Sequence, residues 1–334
     1  MTQTRSHGPL GTRRKHCIRR HRVGSNRAFL GPVSIAGHVS RAGSWSVVLF
    51  SVLSTADDPV AQRWQLIDGK HWQIYSSAVE AVEVTDAAEG TRGDCAPGMV
   101  EVLGALRVDG WGYNDAIDAS QKRTCTTWIS HAYPERCAHF DRTQWLLIAR
   151  TFPTKEMHFC IDRYEYPNRR GAYPWIMVEW TDARAICQAA SERLCTEAEW
   201  TFACEGEEAM PYPYGYDRDA DACVVDRPWR PVDEDALSQR TSERTSMELD
   251  RLWQGEPSGA RPRCRSQFGV YDMAGNVDEW TTSEVPGERP SILKGGYWGP
   301  VRDRCRPSTR AHGEDFYFYQ QGFRCCADVT AFPR

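Results

Sequence analysis

Apolar and polar positions along this chain seldom keep one period for long, so the predicted elements are short. Cys95-Ala-Pro-Gly-Met-Val-Glu-Val-Leu-Gly104 predicts a turn from its Pro-Gly step, then a strand from its alternating valines and leucine. Phe159-Cys-Ile-Asp-Arg-Tyr-Glu-Tyr166 alternates as a second strand. Thr181-Asp-Ala-Arg-Ala-Ile-Cys-Gln-Ala-Ala190 opens on a capping residue and continues in good helix formers, which predicts a helix. Thr196-Glu-Ala-Glu199 is a capping box: the Thr hydroxyl accepts a backbone N–H while Glu199 reaches back, opening a short helix through Trp200 to Cys204. Thr245-x-x-Glu248 predicts another helix, ending near Trp253 with Gly255 as its stop. A further helix is expected around Val60–Val84, and Thr124–Phe140 reads as a loop closed by its own bridge. Residues 224–263 are polar and rich in Pro, Arg and Asp, as a long excursion would be.

Composition adds a class to this pattern. Hydrophobic residues make up 41% and aromatics 11%, which describes a globular chain. Thirteen tryptophans point to a loop-rich fold pinned by large side chains. The net charge of -4 argues against a general nucleic-acid binder. That total hides an asymmetry: the first 42 residues carry nine Lys and Arg residues, from Arg5 to Arg41, and no acid. An apolar run follows, Trp45–Ala56, and then Asp57-Asp58. Basic stretch, apolar run and small-residue end follow the order of a secretory signal; the other reading is a tail followed by a buried strand. The run is too short to span a bilayer as a helix, so no transmembrane span is expected. The chain therefore divides into a basic tail with a signal-like segment (1–56), a linker or N-terminal extension (57–92) and one domain (93–330).

Cysteine usage agrees with export. Of thirteen cysteines, twelve remain once Cys17 of the basic tail is set aside. An even count suits a disulfide framework in an oxidising compartment. Zinc is the competing reading, but no paired C-x-x-C stands at the usual spacing. Cys325 and Cys326 would point to opposite faces of a strand.

Five segments, in order, carry a resemblance. They are Phe159–Glu165, Arg193-Leu-Cys-Thr-Glu-Ala-Glu-Trp200, Tyr212-Pro-Tyr-Gly215, Phe268-Gly-Val-Tyr-Asp-Met-Ala-Gly-Asn-Val-Asp-Glu-Trp280, and Leu293-Lys-Gly-Gly296 with Gln321-Gly-Phe-Arg-Cys325. Together they resemble the formylglycine-generating, or sulfatase-modifying factor, family. The resemblance implies an α+β fold related to C-type lectins, with short strands, few helices and much irregular chain. Gly295-Gly296 and Gly269 would supply backbone freedom there, and Trp200 and Trp280 would anchor the core.

Family enzymes oxidise a substrate cysteine with copper(I) held by two cysteines, a coordination that soft thiolates favour. Counting from Gly295-Gly296, the second falls on Cys305 and the first on Pro300, which has no ligating side chain. Asp278 stands at the family's active-site tryptophan, and Tyr297 at its serine. Copper is therefore not expected. Cys305 is left as a structural disulfide partner, a free thiol or a ligand to another metal. His131, His139, His158 and His312 form no helix-spaced metal motif. The resemblance does imply calcium, bound by side-chain oxygens of Asp272 and Glu279 and carbonyls of Gly275 and Val277. The alternative is that Asp272 caps a turn and Glu279 meets an arginine. A second family calcium site lacks its asparagine near Cys223–Asp226.

The resemblance also implies a Cys187–Cys325 bridge. The family partner of Cys204 would fall on Arg310, so Cys195–Cys204 is expected instead, with Cys223–Cys264 and Cys125–Cys137. The resulting functional expectation is a secreted, periplasmic or cell-envelope domain with a non-catalytic binding or structural role. Its partner would be a peptide, glycan or protein, met by Phe316–Tyr319 beside Tyr297-Trp298 unless those rings are core. The alternative is a divergent oxidoreductase of the same family, with a metal or thiol site rebuilt around Cys305, Asp278, Arg302 or Arg304.

Overall fold

The computed structural model describes residues 62–75, 94–110 and 115–329. The tail and signal-like segment, and most of 57–92, lie outside the described residues. Within the helix expected at Val60–Val84, the described part is a hairpin: β1 (Arg63–Ile67) pairs antiparallel with β2 (His71–Tyr75). Asp68-Gly69 decides this. Both take positive φ, 51° and 67°, and Lys70 N–H donates to the Ile67 carbonyl at 3.0 Å, so the Asp-Gly step turns the chain inside a three-residue loop, 68–70, between the paired Ile67 and His71.

Two four-stranded sheets organise the domain. In the first, β3 (Met99–Arg107), β6 (Thr154–Asp162), β12 (Cys325–Asp328) and β7 (Arg193–Leu194) run antiparallel in that spatial order. In the second the order is β10 (Ser308–Thr309), β9 (Ser291–Lys294), β8 (Asp278–Thr282) and β11 (Gln321–Phe323). There β11 joins β8 in parallel. The Thr124–Phe140 stretch is not an irregular loop but a bulged hairpin of β4 (Cys125–Ser130) and β5 (Arg136–Phe140). With short strands, six helices among the described residues and long irregular connections, the architecture is the expected α+β type.

The helices obey their caps. Asp115 and Asp141 cap α1 (Ala116–Lys122) and α2 (Arg142–Ala149). The helix read from Thr181 starts earlier, as α3 (Trp180–Ala189), with Glu179 and Asp182 forming its capping box. Thr196 and Glu199 form the expected box at α4 (Glu197–Glu205). A short α5 (Glu234–Ser238) precedes α6 (Glu243–Leu252), whose cap is Ser242; Thr245 lies inside, bonded to the Ala236 and Gln239 carbonyls.

Helix α4 is buried along its whole length. Trp200 and Trp280 are fully buried, each with its indole N–H satisfied: Trp200 donates to Glu279 at 2.8 Å, Trp280 to the Val178 carbonyl at 2.9 Å. Burying a ring of this size is worth roughly 4–6 kcal/mol in transfer terms.

All twelve cysteines among the described residues are disulfide-bonded. Cys125–Cys137, Cys187–Cys325 and Cys223–Cys264 pair as the sequence suggested. Cys195–Cys204 does not form. Helix α4 lies between those residues and, at about 1.5 Å per residue, holds them roughly 13 Å apart, beyond the reach of a disulfide. Cys195 bonds Cys326 instead, and Cys204 bonds Cys305. The adjacent Cys325 and Cys326 thus send their sulfurs to different places, α3 and Cys195 between β7 and the cap of α4. The sixth bridge, Cys95–Cys160, ties the chain before β3 to β6.

Candidate functional site

Strand β9 ends at Lys294 and runs into Gly295-Gly296, both at positive φ (88° and 78°). Glycine is required here: a Cβ on Gly296 would sit 2.2 Å from Asp303 Oδ1. The turn borders a cleft of about 220 Å³ whose lining includes Tyr133, Asp278, Lys294, Tyr297, Arg302 and His312. Tyr133, at the tip of the β4–β5 hairpin, is 81% exposed, and Arg302 lies 5.6 Å from its ring centroid. Arg302 also donates to Thr309 Oγ1 at 3.0 Å. A neighbouring groove of about 420 Å³ shares Tyr133, Arg302, Pro307 and Thr309 and adds Lys122 and Arg310.

The cleft's ionisable groups are tuned by burial. Loss of water pushes Asp278 up to about 7, against the pull of Arg302 and the Gly296 N–H. Lys294 is buried beside Trp200 and drawn down to about 8 by desolvation; its ammonium donates to the Arg306 carbonyl at 2.7 Å. Behind it, Arg306 and Glu205 form a wholly buried ion pair at 2.5 Å.

Cys305, the one residue matched to a copper ligand, is not a thiolate. It is fully buried and bonded to Cys204, with the Cα atoms 5.4 Å apart. The candidate copper ligand is thus corrected to a structural cysteine. The reason lies in register. Arg310, counted as the partner position of Cys204, instead pairs with Glu197 at 2.5 Å, and Cys305 takes the place opposite α4. Of the other residues grouped with it, Asp278, Arg302 and Arg304 all line the cleft, and the Arg304 guanidinium is already engaged by Asp118 (2.8 Å) and Gln121 (2.7 Å). The thiol form of the rebuilt site has no free cysteine among the described residues.

The expected aromatic wall is mostly interior. Trp298 and Tyr319 are buried, and Tyr297, Tyr317 and Phe318 pack against the same core cluster. Phe316 is partly buried and stacks on His312 at 3.8 Å. Of the other candidate histidines, His131 stacks on Trp128, His139 meets Asp217 and His158 meets Glu101.

The proposed calcium loop is tightly wound, with positive φ at Asp272, Gly275 and Asn276. Asp272 accepts from Gly259 N–H at 2.6 Å. Glu279 is held by Arg324 through both carboxylate oxygens, at 2.6 and 2.7 Å, and by Trp200. As held, the Glu279 side chain is an arginine partner and does not fit the calcium set. Asp272 and the carbonyls of Gly275 and Val277 would be the donors left to a cation. No helix among the described residues is long and apolar enough to cross a membrane.

Comparison with known proteins places this geometry. The chain is 30% identical over 184 residues to the inactive C-alpha-formylglycine-generating enzyme 2 of Bos taurus, covering 48% of this chain and 52% of that protein. It is 31% identical over 190 residues to the formylglycine-generating enzyme of Mycobacterium tuberculosis, covering 48% of this chain and 60% of that protein. The chain thus spans about half the length of the curated relatives it matches. Among solved structures, PvdO from Pseudomonas aeruginosa aligns over 71% of this chain and 97% of its own, with 16% identity and a TM-score of 0.43. Residues 158–329 match the sulfatase-modifying factor enzyme 1-like domain, and the chain belongs to that family.

Proposed function

We propose that this protein is a secreted or envelope binding domain that keeps the family fold without its copper-dependent oxidation. One observation carries this reading: Cys305 is consumed by its bond to Cys204. With proline at position 300, no cysteine pair remains at the Gly295-Gly296 turn to hold copper. Full pairing of the twelve described cysteines supports an oxidising compartment. The ligand would be a peptide, glycan or protein segment lying across the cleft and groove, against Tyr133 and Arg302. Calcium belongs to this proposal as a structural ion at the Asp272 loop.

The test is to incubate the purified chain with copper(I), oxygen and a cysteine-containing peptide. No formylglycine and no stoichiometric copper are expected; turnover with bound copper would overturn the reading. A second reading, the divergent oxidoreductase, draws support from Asp278 and Lys294, two near-neutral groups lining one cleft. It requires copper-independent oxidation of the peptide that Asp278→Asn abolishes.

A further inference from the structure

The β1–β2 hairpin and the segment 167–175 enclose a second concavity of about 640 Å³, sharing no lining residue with the Gly295-Gly296 cleft. Three arginines line it, Arg63, Arg169 and Arg170, against one carboxylate, Asp68. Tyr75, Tyr173 and Trp175 supply ring walls. Tyr75 and Trp175 stack with centroids 6.0 Å apart, and the Arg63 guanidinium lies 4.1 Å from the Trp175 centroid and 5.2 Å from that of Tyr75.

The charges are distributed by depth. Arg63 is 4% exposed, and burial draws its pKa down, so its cation sits where a neighbouring anion gains most. Arg169 and Arg170 are exposed, and Arg169 makes no ion pair among the described residues. The frame is fixed before any ligand arrives. Trp64 and Ile176 exchange both backbone hydrogen bonds at 3.0 and 2.9 Å, and the Gln65 amide donates to the Tyr173 carbonyl at 3.2 Å. A preformed site spends little binding energy on ordering itself.

Guanidinium groups match the oxygens of carboxylates, sulfates and sulfonates in planar, two-pronged hydrogen bonding. Ring walls match a flat apolar body. We propose that this cavity, walled by Arg63, Arg169, Arg170, Tyr75, Tyr173 and Trp175, binds an organic oxoanion carried on a flat ring.

Isothermal titration of the full chain with 2-naphthalenesulfonate, 2-naphthoate and neutral 2-naphthol tests this. The two anions are expected to bind one per chain, about tenfold or more tighter than the naphthol, the worth of one charge-assisted hydrogen bond. Arg169→Ser, at an exposed arginine, should weaken the anions by about tenfold and leave the melting temperature unchanged. Arg302→Ser, in the other cleft, should leave their affinity unchanged. Equal binding of anion and naphthol, an unaffected Arg169→Ser variant, or loss of binding in Arg302→Ser would each overturn the proposal.

Discussion

Cys204 at the end of α4 and Cys305 beyond the Gly-Gly turn are joined across 101 residues of chain, with Cα atoms 5.4 Å apart. The bond makes a stabilising crosslink of the one cysteine at which the sequence resemblance implies a copper ligand. In the chain-entropy view, a loop of that size is worth about 5 kcal/mol, against about 3 for the 12-residue Cys125–Cys137 loop. Cys204→Ala with Cys305→Ala should therefore lower unfolding free energy in guanidinium more than Cys125→Ala with Cys137→Ala. Equal losses would show that chain entropy is not what these bridges supply.

Arg324 and Glu279 form a wholly buried pair, with Trp200 completing the carboxylate's hydrogen bonds. Arg324→Met leaves Glu279 charged and uncompensated, a loss of about 3–5 kcal/mol. Adding Glu279→Gln should restore part of that loss, because a neutral amide needs no counter-ion. Urea denaturation of the single and double variants measures it. An additive double variant would mean the two groups do not depend on each other.

Lys294 gives a pH signature. Its folded pKa, about 8, lies below the ordinary 10.5, so the unfolded chain binds more protons between those values. This group's contribution to stability therefore rises as pH climbs from 8 to 10.5, by up to about 3 kcal/mol. Lys294→Met should remove that slope, as read by denaturant unfolding across the window. An identical slope in the variant would place the buried charge elsewhere.

Calcium binding at the Asp272 loop predicts a rise in melting temperature with millimolar calcium, reversed by a chelator and absent in Asp272→Ala. No rise in the parent chain would show that Gly259 N–H and Arg324 meet the needs of this loop without an ion.

Local chemistry made some elements legible in advance. The Thr196/Glu199 box and the Pro-Gly turn before β3 are settled by neighbouring residues alone, and the structure follows them. Elements decided at longer range were not legible. Around Asp68-Gly69 the sequence reads as a helix, and the Asp-Gly step that turns the hairpin is its one local sign of a strand pair. The partner of Cys204 depends on the register of 296–310 against α4, and the family resemblance points five positions away, to Arg310. Glu279 and Asp272 were recognisable as a carboxylate pair, but the arrival of Arg324 from 45 residues downstream was open between two readings. The arginine-lined cavity joins a hairpin near residue 70 to a loop near 170, and no local pattern announces it.

Alkylation of the full chain under denaturing, non-reducing conditions, followed by peptide mapping, tests the central claim most directly. The account predicts that Cys305 stays unlabelled and is recovered linked to Cys204. Labelled Cys305 alongside labelled Cys204 would contradict it and return a thiol to the Gly295-Gly296 turn.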